Sequence, residues 1–312
     1  MTITVIGHLC LDVIDHPNGS ETQSYGGIFF SVATLANLLS TSDTIYPVFG
    51  VGKKEYDAFI ERLRIYPNID TSGIYRFDAP TNQVRLVYTT SAKRIECSKF
   101  IADPIPMKKI EPYLNTDMVL VNMISGFDIR LETLDEIRMV VGEKHTPLYM
   151  DVHSLTLGVA EDFTRFHRPV DTWRRWLFML HAAQMNEEEA AIVSPEKLDE
   201  QSLSNHTLTL HTNILIVTRG ERGCTLFVAE RKRAKRFDIP GISLRQQIDP
   251  TGCGDVFAAA YCARYMKTKN ILNSAAYANN VAAFKAQLPG STDIDKLSSF
   301  RLQEPTVEVN IS

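Results

Sequence analysis

The stretch IDPTGCGDVFAAAYCARYM, from Ile248 to Met266, decides the interpretation of this chain. Gly252 and Gly254 stand just before a segment whose apolar residues recur at spacings of three and four, which predicts a helix from about Asp255. Glycines in a turn indicate an unusual backbone conformation or a close approach of the backbone to a ligand. The unpaired amides and the positive dipole end at a helix N-terminus favour an anion. The stretch therefore predicts a glycine-bent turn that leads into an anion-binding helix.

Composition places the chain among ordinary globular proteins. It has 312 residues, of which 44% are hydrophobic and 22% are charged, and its net charge is −4. This charge gives no reason to expect a nucleic-acid partner, and the basic cluster from Glu230 to Phe237 is interpreted as a solvated turn between strands. The N-terminus has no basic leader, and no run of about 20 apolar residues occurs, so we expect neither a signal peptide nor a membrane span.

The cysteines and histidines argue against a metal held by nitrogen or sulfur ligands. The five cysteines are odd in number and scattered, without a Cys-x-x-Cys pair. This pattern is typical of the reducing cytoplasm, which we predict as the location of the protein.

Short apolar runs alternate with helical patterns along the chain. The predicted strands are Ile3–Ile6, Met118–Ile124, Leu148–Val152, Leu177–Ala182 and Ile214–Thr218. The predicted helices are Val32–Leu39, Tyr56–Ile65, Leu131–Val141, Glu187–Val193, Val256–Met266 and Ile271–Leu288. Unbroken apolar strands between helices indicate a doubly wound α/β fold, with a mainly parallel sheet covered by helices on both faces.

Two stretches interrupt this alternation. Residues His16–Gly27 are rich in turn formers, and residues Thr81–Phe100 alternate as half-buried strands do. We predict a single domain over residues 1–312, with a small β-structured lid formed by about 12–30 and 74–100. Such a lid could cover a ligand beyond the carboxyl ends of the strands.

Two common phosphate-binding motifs fail, and Asp255 leaves two interpretations open. The segment Gly50–Glu55 has no Walker A pattern, because Pro47 and Lys54 stand where glycine and serine or threonine are needed. A dinucleotide fingerprint would require glycine where Phe257 stands. Asp255 either caps the helix, or acts as a general base while the amides of the preceding loop hold a phosphoryl group.

The segment DPTGCGD, Asp249–Asp255, resembles the C-terminal signature of the ribokinase-like carbohydrate kinases of the phosphofructokinase B type. Cys253 replaces the usual alanine of that signature, and Pro250 replaces its first threonine. Four more segments resemble family motifs in the family's order, so that the resemblance covers nearly the whole chain: GHLCLD from Gly7, YGGIFFSVATLANL from Tyr25, MNEEEA from Met185 and VTRGERG from Val217.

The resemblance implies roles for individual residues. Asp255 would be the catalytic base, and the amides of Gly252, Cys253 and Gly254 would form the anion hole. Asn186 and Glu189 would order magnesium and its waters, unless they only begin an acidic helix. The implied nucleotide contacts are Thr218, Gly220, Gly223 and Asn279, and the implied acceptor contacts are Asp12, Gly26, Gly27 and Ser31. Asn279 could instead be a helix-surface residue, and Asp12 could instead close a turn.

These roles predict a kinase that uses ATP and Mg²⁺ to phosphorylate a hydroxyl of a sugar or a sugar-like molecule. A nucleoside kinase stays open because Ser31 stands where many family members have asparagine, and a non-catalytic sugar or nucleotide sensor is the alternative from another class. A monovalent cation is left open as a further cofactor, and the exposed edges of the lid strands suggest a homodimer. We interpret Arg165–Trp176 as an amphipathic surface helix with its tryptophans inward, with a site for an anionic substrate as the alternative.

Overall fold

The computed structural model describes residues 1–15, 20–88, 94–230, 233–244, 248–301 and 310–311. The strands are β1 (Thr2–Ile6), β2 (Leu9–Asp15), β3 (Glu21–Gly27), β4 (Thr44–Gly52), β5 (Ile74–Phe77), β6 (Asn82–Tyr88), β7 (Arg94–Lys99), β8 (Met118–Asn122), β9 (Leu148–Asp151), β10 (Leu157–Val159), β11 (Arg165–His167), β12 (Ala182–Asn186), β13 (Ile214–Thr218), β14 (Gly223–Glu230), β15 (Arg233–Pro240) and β16 (Asn310–Ile311). The α-helices are α1 (Ile28–Leu38), α2 (Tyr56–Leu63), α3 (Met107–Ile110), α4 (Leu131–Glu143), α5 (Trp173–Trp176), α6 (Glu187–Ile192), α7 (Glu200–Thr209), α8 (Cys253–Thr268) and α9 (Ile271–Lys285).

A large sheet forms the centre of the molecule. Its strand order is β16-β15-β14-β13-β12-β9-β8-β1-β4-β5. The seven strands from β13 to β5 pair in parallel, and β14, β15 and β16 continue the sheet in antiparallel pairs. Buried aliphatic residues fill the parallel strands because helices cover them, which is why these strands read as continuous apolar runs. The predicted doubly wound α/β class is confirmed.

Helix α8 lies in the core because its small residues allow close packing. It packs against α1 and α9, and its alanines 258, 259, 260 and 263 are buried. Its N-terminus consequently lies beside the carboxyl ends of the central strands. The N-terminal turn of α8 is the part of the helix that matters for the site described below.

A second sheet of four strands, in the order β3-β2-β6-β7, lies in the region predicted to form a lid. Two stretches within the predicted ranges lie outside this sheet, because Ile74–Phe77 pairs with β4 in the large sheet and Ile28 begins α1. Residues 16–19 and 89–93 of the two predicted stretches lie outside the described residues.

A two-stranded hairpin, β10–β11, joins this small sheet to the main body. Thr164, just before β11, pairs with Cys97 of β7, and the Ser98 amide donates to the Phe163 carbonyl at 2.9 Å. The hairpin therefore closes one side of the space between the two sheets.

Two local predictions are wrong. The strand predicted at Leu177–Ala182 begins only at Ala182, because the apolar run is a loop in which Met179 adopts φ 53° and is exposed. The helix predicted over Arg165–Trp176 is a short strand followed by the single turn α5, since Pro169 cannot donate within a helix. Both tryptophans of that segment are buried, as predicted.

Other predicted segments agree with the structure, but several elements, among them β4 and α7, were not predicted. The basic cluster from Glu230 spans the end of β14 and the start of β15, although residues 231–232 lie outside the described residues. Strand β4 was not predicted because Pro47, Gly50 and Gly52 interrupt its apolar pattern. In the part of the chain that the structure describes, none of the helices has the length and apolarity that crossing a bilayer requires.

Candidate active site

Polar residues end four neighbouring strands of the large sheet. Asn122 ends β8, Asp151 ends β9, Asn186 ends β12 and Thr218 ends β13. Asn122 is paired with Asp151 across the sheet, and Asn186 is paired with Thr218. Ligands of doubly wound proteins bind beyond the carboxyl ends of the strands, so this row marks the edge where a site is expected.

The glycine loop, Asp249–Gly254, meets this edge at the start of α8. Gly252 is the N-cap of the helix and has φ 78°, in the left-handed region that favours glycine. A Cβ at this position would lie 2.6 Å from the ring of Phe30. Glycine is therefore required both by the backbone conformation and by the ring packed against the loop.

Asp255 lies in the first turn of α8, and its carboxylate is held from behind by Asn122. The Asn122 Nδ2 donates to Asp255 Oδ1 at 2.7 Å and to the Ser31 hydroxyl at 3.2 Å. The residue is only 8% exposed, yet it lines a cavity. Burial raises the pKa of Asp255, while the charge of His153 and the Asn122 hydrogen bond oppose that rise.

A buried network positions the main chain next to Asp255. Gln184 Nε2 donates to Asp151 Oδ2 at 3.0 Å and to the carbonyl of Gly254 at 3.1 Å, while its Oε1 accepts from the Tyr149 hydroxyl at 2.6 Å. Burial raises the pKa of Asp151 well above its usual value, against the opposing charge of His153. The network ties the first turn of α8 to strands β9 and β12.

Asn186 and Glu189 form a capping box at the start of α6. Asn186 Oδ1 accepts from the Glu189 amide at 2.9 Å, and Glu189 Oε2 accepts from the Asn186 amide at 2.7 Å. The other oxygen of Glu189 accepts from Asn186 Nδ2 at 2.8 Å and lies 3.6 Å from Nδ1 of His153. These contacts show that Asn186 and Glu189 cap the acidic start of α6. The carboxylate of Glu189 is also a buried group on the cavity wall.

His153 brings a positive charge to this group. Burial lowers its pKa, but Glu189 and the charge of Asp255 outweigh burial and raise the pKa of His153 to about 9. The imidazole is therefore protonated at neutral pH beside the two carboxylates.

The cavity at this edge has a volume of about 830 Å³. At one end its wall is formed by residues of β13, the turn after it, β14, α9 and the segments that follow β15 and α9: Thr218, Gly220, Gly223, Ile242, Leu244, Asn279, Ala282, Ala283 and Ala286. At the other end it is formed by residues of the small sheet, the β10–β11 hairpin and their neighbours: Cys10, Asp12, Gly27, Phe30, Val84, Leu86, Glu96, Ile124, Leu157 and Arg165. The glycine loop and Asp255 lie between the two ends.

Asp12 is a buried carboxylate at the small-sheet end. Gly26 packs directly against it, since a Cβ on Gly26 would lie 2.0 Å from Asp12 Oδ2. Burial and the negative charge of Asp255 raise the pKa of Asp12 to about 7, and the charge of Arg165 opposes them. Asp12 therefore titrates near neutrality at the cavity wall.

Arg165, on β11, lines the same part of the cavity. Its side chain is 9% exposed and donates from Nε to the Ser98 hydroxyl at 2.6 Å, and Glu96 Oε2 lies 3.6 Å from its Nη1. Sequence reasoning assigned this arginine to a surface helix, because a three-residue strand leaves almost no periodic signal.

Most of the sequence-predicted site residues meet at this cavity, but three of them have different environments from those expected. Ser31 is fully buried and donates to the carbonyl of Asp255 at 3.3 Å, so it lies beneath the wall rather than on it. Gly26 supports Asp12 from behind and is not part of the cavity lining. The Cys253 amide donates to the Pro250 carbonyl at 3.1 Å, so that this predicted anion-hole donor is already engaged.

Sequence reasoning missed His153, which lines the cavity, and four residues behind the wall: Asn122, Asp151, Gln184 and Lys285, whose ammonium group donates to the Asp249 carbonyl at 3.1 Å. A usable signal existed for two of them, because Asn122 and Asp151 are polar residues that directly follow the apolar part of a strand.

Comparison with known proteins decides which kind of molecule carries this cavity. Residues 163–297 match the model of the pfkB family of carbohydrate kinases. The predicted resemblance to the ribokinase-like carbohydrate kinases is confirmed. The prediction of an enzyme is thereby confirmed, and the non-catalytic sensor is set aside.

Individual relatives of the chain are distant. It is 22% identical over 279 residues to the cytidine kinase of Thermococcus kodakarensis, over 86% of this chain and 89% of that protein. Among solved structures, it resembles the sulfate complex of a pyrophosphate-dependent kinase in the ribokinase family. The TM-score is 0.76, and the two chains are 18% identical over 96% of this chain and 100% of that one. Ribokinase from Thermotoga maritima gives a TM-score of 0.70 and 17% identity over 96% of this chain and 99% of that one. At these identities the two structures show the shared fold.

Proposed function

We propose that this ribokinase-like kinase transfers the γ-phosphoryl group of ATP, with Mg²⁺, to a hydroxyl of a sugar or a nucleoside. The observation that carries the proposal is the position of Asp255. Its carboxylate lies at the start of α8, on the wall of a cavity that has one end suited to a nucleotide and another suited to a small polar acceptor.

Asp255 is the proposed general base. A base that takes a proton from an alcohol works best when its pKa is raised toward the working pH, and burial raises the pKa of Asp255 in this direction. Asn122 fixes the carboxylate from behind through Oδ1. The acceptor hydroxyl would give its proton to Asp255 as its oxygen attacks the γ-phosphorus.

The proposed donors for the transferring group are amides at the start of α8. The amide of Cys253 is engaged with the Pro250 carbonyl. The amide of Gly252 has no main-chain partner among the described residues. Gly254 lies in the first turn of the helix, where amides have no intrahelical acceptor. We therefore assign the anion hole to Gly252 and Gly254, which differs from the expectation of three equivalent amides. Their N–H groups and the helix dipole would offset the charge that develops on the phosphoryl oxygens.

The nucleotide end of the cavity favours ATP as the donor. Alanines of α9 together with Ile242 and Leu244 form an apolar wall that suits a purine ring. Asn279 is held next to that wall by its hydrogen bond of 2.9 Å to the Pro240 carbonyl. Gly220 and Gly223, with φ 55° and 93°, let the main chain approach the ribose and the phosphates.

The carboxylates suit a hydrated magnesium ion that arrives with the phosphates. The described residues contain no cluster of three or more histidine, cysteine, aspartate or glutamate side chains that could enclose a metal. Mg²⁺ typically keeps several waters and is held by one or two carboxylates plus substrate phosphates. Glu189 and Asn186 would hold those waters, and the ion would offset the charge on the phosphates.

The acceptor end favours an uncharged molecule over an anion. Arg165 is the candidate for an anion site, but Glu96 lies 3.6 Å from its guanidinium and already offsets its charge. Asp12 adds a second acid to the same wall. Hydroxyl groups can donate to Asp12 and accept from Arg165, so we propose that these two residues bind the acceptor.

A nucleoside is the second candidate for the acceptor, and two observations favour it. Six apolar residues cover the acceptor end, and they could pack against a base: Cys10, Phe30, Val84, Leu86, Ile124 and Leu157. The relative from Thermococcus kodakarensis is named a cytidine kinase.

The small sheet is the proposed lid. It contributes Cys10, Asp12, Val84 and Leu86 to the acceptor wall, so its closure over a bound acceptor would exclude water from the phosphoryl group. A homodimer through this sheet stays a prediction, which the mass from light scattering tests directly.

A panel of donors and acceptors tests the proposed function. Purified protein is assayed with ATP or pyrophosphate against neutral sugars, sugar acids and nucleosides, and the release of ADP or phosphate is measured with and without magnesium. We expect turnover with ATP, with magnesium, and with a neutral acceptor. Turnover with pyrophosphate alone, or only with acidic sugars, would overturn the donor or the acceptor assignment.

The variant Asp255→Asn tests the base within the same panel. We expect its kcat to fall about a hundredfold or more, because a general base contributes at least about that much. ATP binding by calorimetry and the melting temperature serve as controls for folding. An unchanged kcat would remove Asp255 from the mechanism.

A further inference from the structure

Lys285, the last residue of α9, has 0% of its surface exposed. A lysine is almost never fully buried unless its ammonium group has partners. Its Nζ donates to the main-chain carbonyl of Asp249 at 3.1 Å and to that of Thr251. It also lies 5.2 Å from the centre of the Phe30 ring, which is a favourable position for a cation. Two carbonyls and one aromatic face thus account for the surroundings of the charge.

The charge of Lys285 is not cancelled by an ion pair. Within the described residues, no carboxylate lies within 4.0 Å of its Nζ, and the contacts to the ammonium are made by neutral carbonyl oxygens. The carboxylate of Asp249 turns away to accept from the amides of Thr251 at 2.8 Å and Gly290 at 2.9 Å. The molecule therefore keeps a positive charge behind the glycine loop that no direct ion pair neutralises, although this charge acts on the carboxylates of Asp249 and Asp255 and favours their ionised forms.

The position of this charge is tied to the loop that faces the phosphoryl group. Asp249 and Thr251 directly precede Gly252, and the end of α9 holds the loop further through the Ala286 carbonyl, which accepts from the amides of Ile248 at 2.8 Å and Asp249 at 3.1 Å. Phe30 touches both the ammonium and the position of Gly252. A change at Lys285 must therefore reach the proposed anion hole.

Main-chain carbonyls that converge on one point are the ligands that a free alkali cation uses in proteins. In this chain an ammonium group, fixed to α9, already makes those contacts. We propose that Lys285 is a built-in monovalent cation that braces the glycine loop, so that phosphoryl transfer needs no free K⁺ or Na⁺. This inference rests on the proposed function, since it concerns the same loop, and Lys285 is a positioning residue that acts through the carbonyls of Asp249 and Thr251.

Ion replacement on the unmodified protein is the first test. Activity is measured at equal ionic strength with K⁺, Na⁺, ammonium or choline, the last being too large for a carbonyl site. We expect kcat to agree within about twofold in all four salts, because the charge at the loop is covalently attached. A loss of about tenfold or more in choline would overturn the inference.

Two substitutions test the charge itself. Lys285→Met keeps the length of the side chain without the charge, and we expect kcat to fall about tenfold or more while the KM for the acceptor changes little. Lys285→Ala leaves room for a small cation, and we expect added ammonium or K⁺, but not choline, to recover about fivefold or more of the lost kcat. Wild-type kcat in Lys285→Met, or no ion-specific recovery in a folded Lys285→Ala, would overturn the inference.

The melting temperature of the unliganded protein gives a readout that does not depend on kinase activity. We expect ammonium, relative to choline, to raise the melting temperature of Lys285→Ala. The melting temperatures of the wild type and of Lys267→Ala should not differ between the two salts. Lys267→Ala is the matched control because Lys267 is an exposed lysine on α8. If Lys285→Ala does not fold, ion replacement and Lys285→Met decide the question. If no acceptor is turned over, the proposed function fails. The inference about Lys285 is then decided by the melting temperature of Lys285→Ala alone: an ammonium-specific rise supports it, and no such rise overturns it.

Discussion

The side-chain amide of Asn122 donates a hydrogen bond of 2.7 Å to the carboxylate of Asp255, from the end of a central strand to the start of a helix. The carbonyl oxygen of the same side chain is buried and has no hydrogen-bond partner among the described residues. An orphaned buried oxygen is costly, so this asparagine is better explained by the orientation it gives Asp255 than by stability.

The first prediction concerns this contact. Asn122→Ala removes a hydrogen bond that opposes the burial-induced rise in the pKa of Asp255, so the pKa should rise further. We expect the acid limb of the kcat–pH profile to move to higher pH and kcat at neutral pH to fall about tenfold. Asn280→Ala, which changes an asparagine of α9 bonded to its own helix, is the matched control. An unchanged acid limb in Asn122→Ala would show that the contact does not tune Asp255.

The second prediction concerns the stability of the protein as a function of pH. Burial and Asp255 raise the pKa of Asp12 to about 7, so the folded state binds more protons than the unfolded state between about pH 4 and pH 7. The contribution of Asp12 to stability is therefore present in full below about pH 4 and is lost as pH rises through about 7. Arg165, which opposes the shift, and Asp249 and Glu96, which add to it, are the other charges that act on Asp12.

Urea unfolding of Asp12→Asn at pH 5 and pH 8 measures this effect. At pH 8 the variant should gain stability relative to the wild type, with an upper limit of about 4 kcal/mol set by a shift of roughly three pKa units. The gain should be smaller at pH 5. Equal differences at the two pH values would contradict the raised pKa.

The third prediction concerns recognition of the acceptor. Arg165→Met keeps much of the apolar stem but removes the donors that Arg165 brings to the cavity wall. We therefore expect kcat/KM for the acceptor to fall about tenfold or more while the KM for ATP stays unchanged. Arg168→Met is the matched control, because Arg168 directly follows the same hairpin and is exposed, and in the described part of the chain its guanidinium bonds only the Leu157 carbonyl. Equal effects of the two variants would assign Arg165 to the hairpin's stability rather than to the acceptor.

The fourth prediction separates backbone strain from packing in the glycine loop. Gly252→Ala must adopt φ 78°, which costs about 1–2 kcal/mol for a residue with a Cβ, and it must also displace the Phe30 ring. Gly220→Ala has φ 55° with open space around its Cβ, so it carries the backbone cost alone. We expect urea unfolding to show a larger loss for Gly252→Ala than for Gly220→Ala. Equal losses would mean that the ring moves aside freely.

The sequence predicted the architecture well, because hydrophobic periodicity reports burial. The parallel strands β1, β8, β9 and β13 read as apolar runs since helices cover both of their faces. Strand β12 was misplaced because Gln184, a buried polar residue, interrupts its pattern, while the loop before it is apolar and has Leu177 and Leu180 buried. Local pattern cannot distinguish a satisfied buried glutamine from a surface one.

For the site, motifs located the residues that face the cavity, but not those that hold them. The glycine loop and Asp255 carry their own signal, since glycines and an acid at a helix start are unusual together. Arg165 and Lys285 carry none, because each reaches the site only through tertiary packing of a hairpin or a helix end. Ser31 was assigned to the acceptor from the family resemblance, which does not reveal that Asn122 and the Asp255 carbonyl surround its hydroxyl.

Cys253 gives the glycine loop one more property. Burial raises the pKa of its thiol to about 11, despite the opposing charge of Lys285, so almost none of it is thiolate at neutral pH. Peroxide and disulfide reagents attack thiolates, and a sulfenic acid at this place would crowd the bound phosphates. The chain thus carries a cysteine at its most sensitive turn while keeping that turn insulated from oxidants.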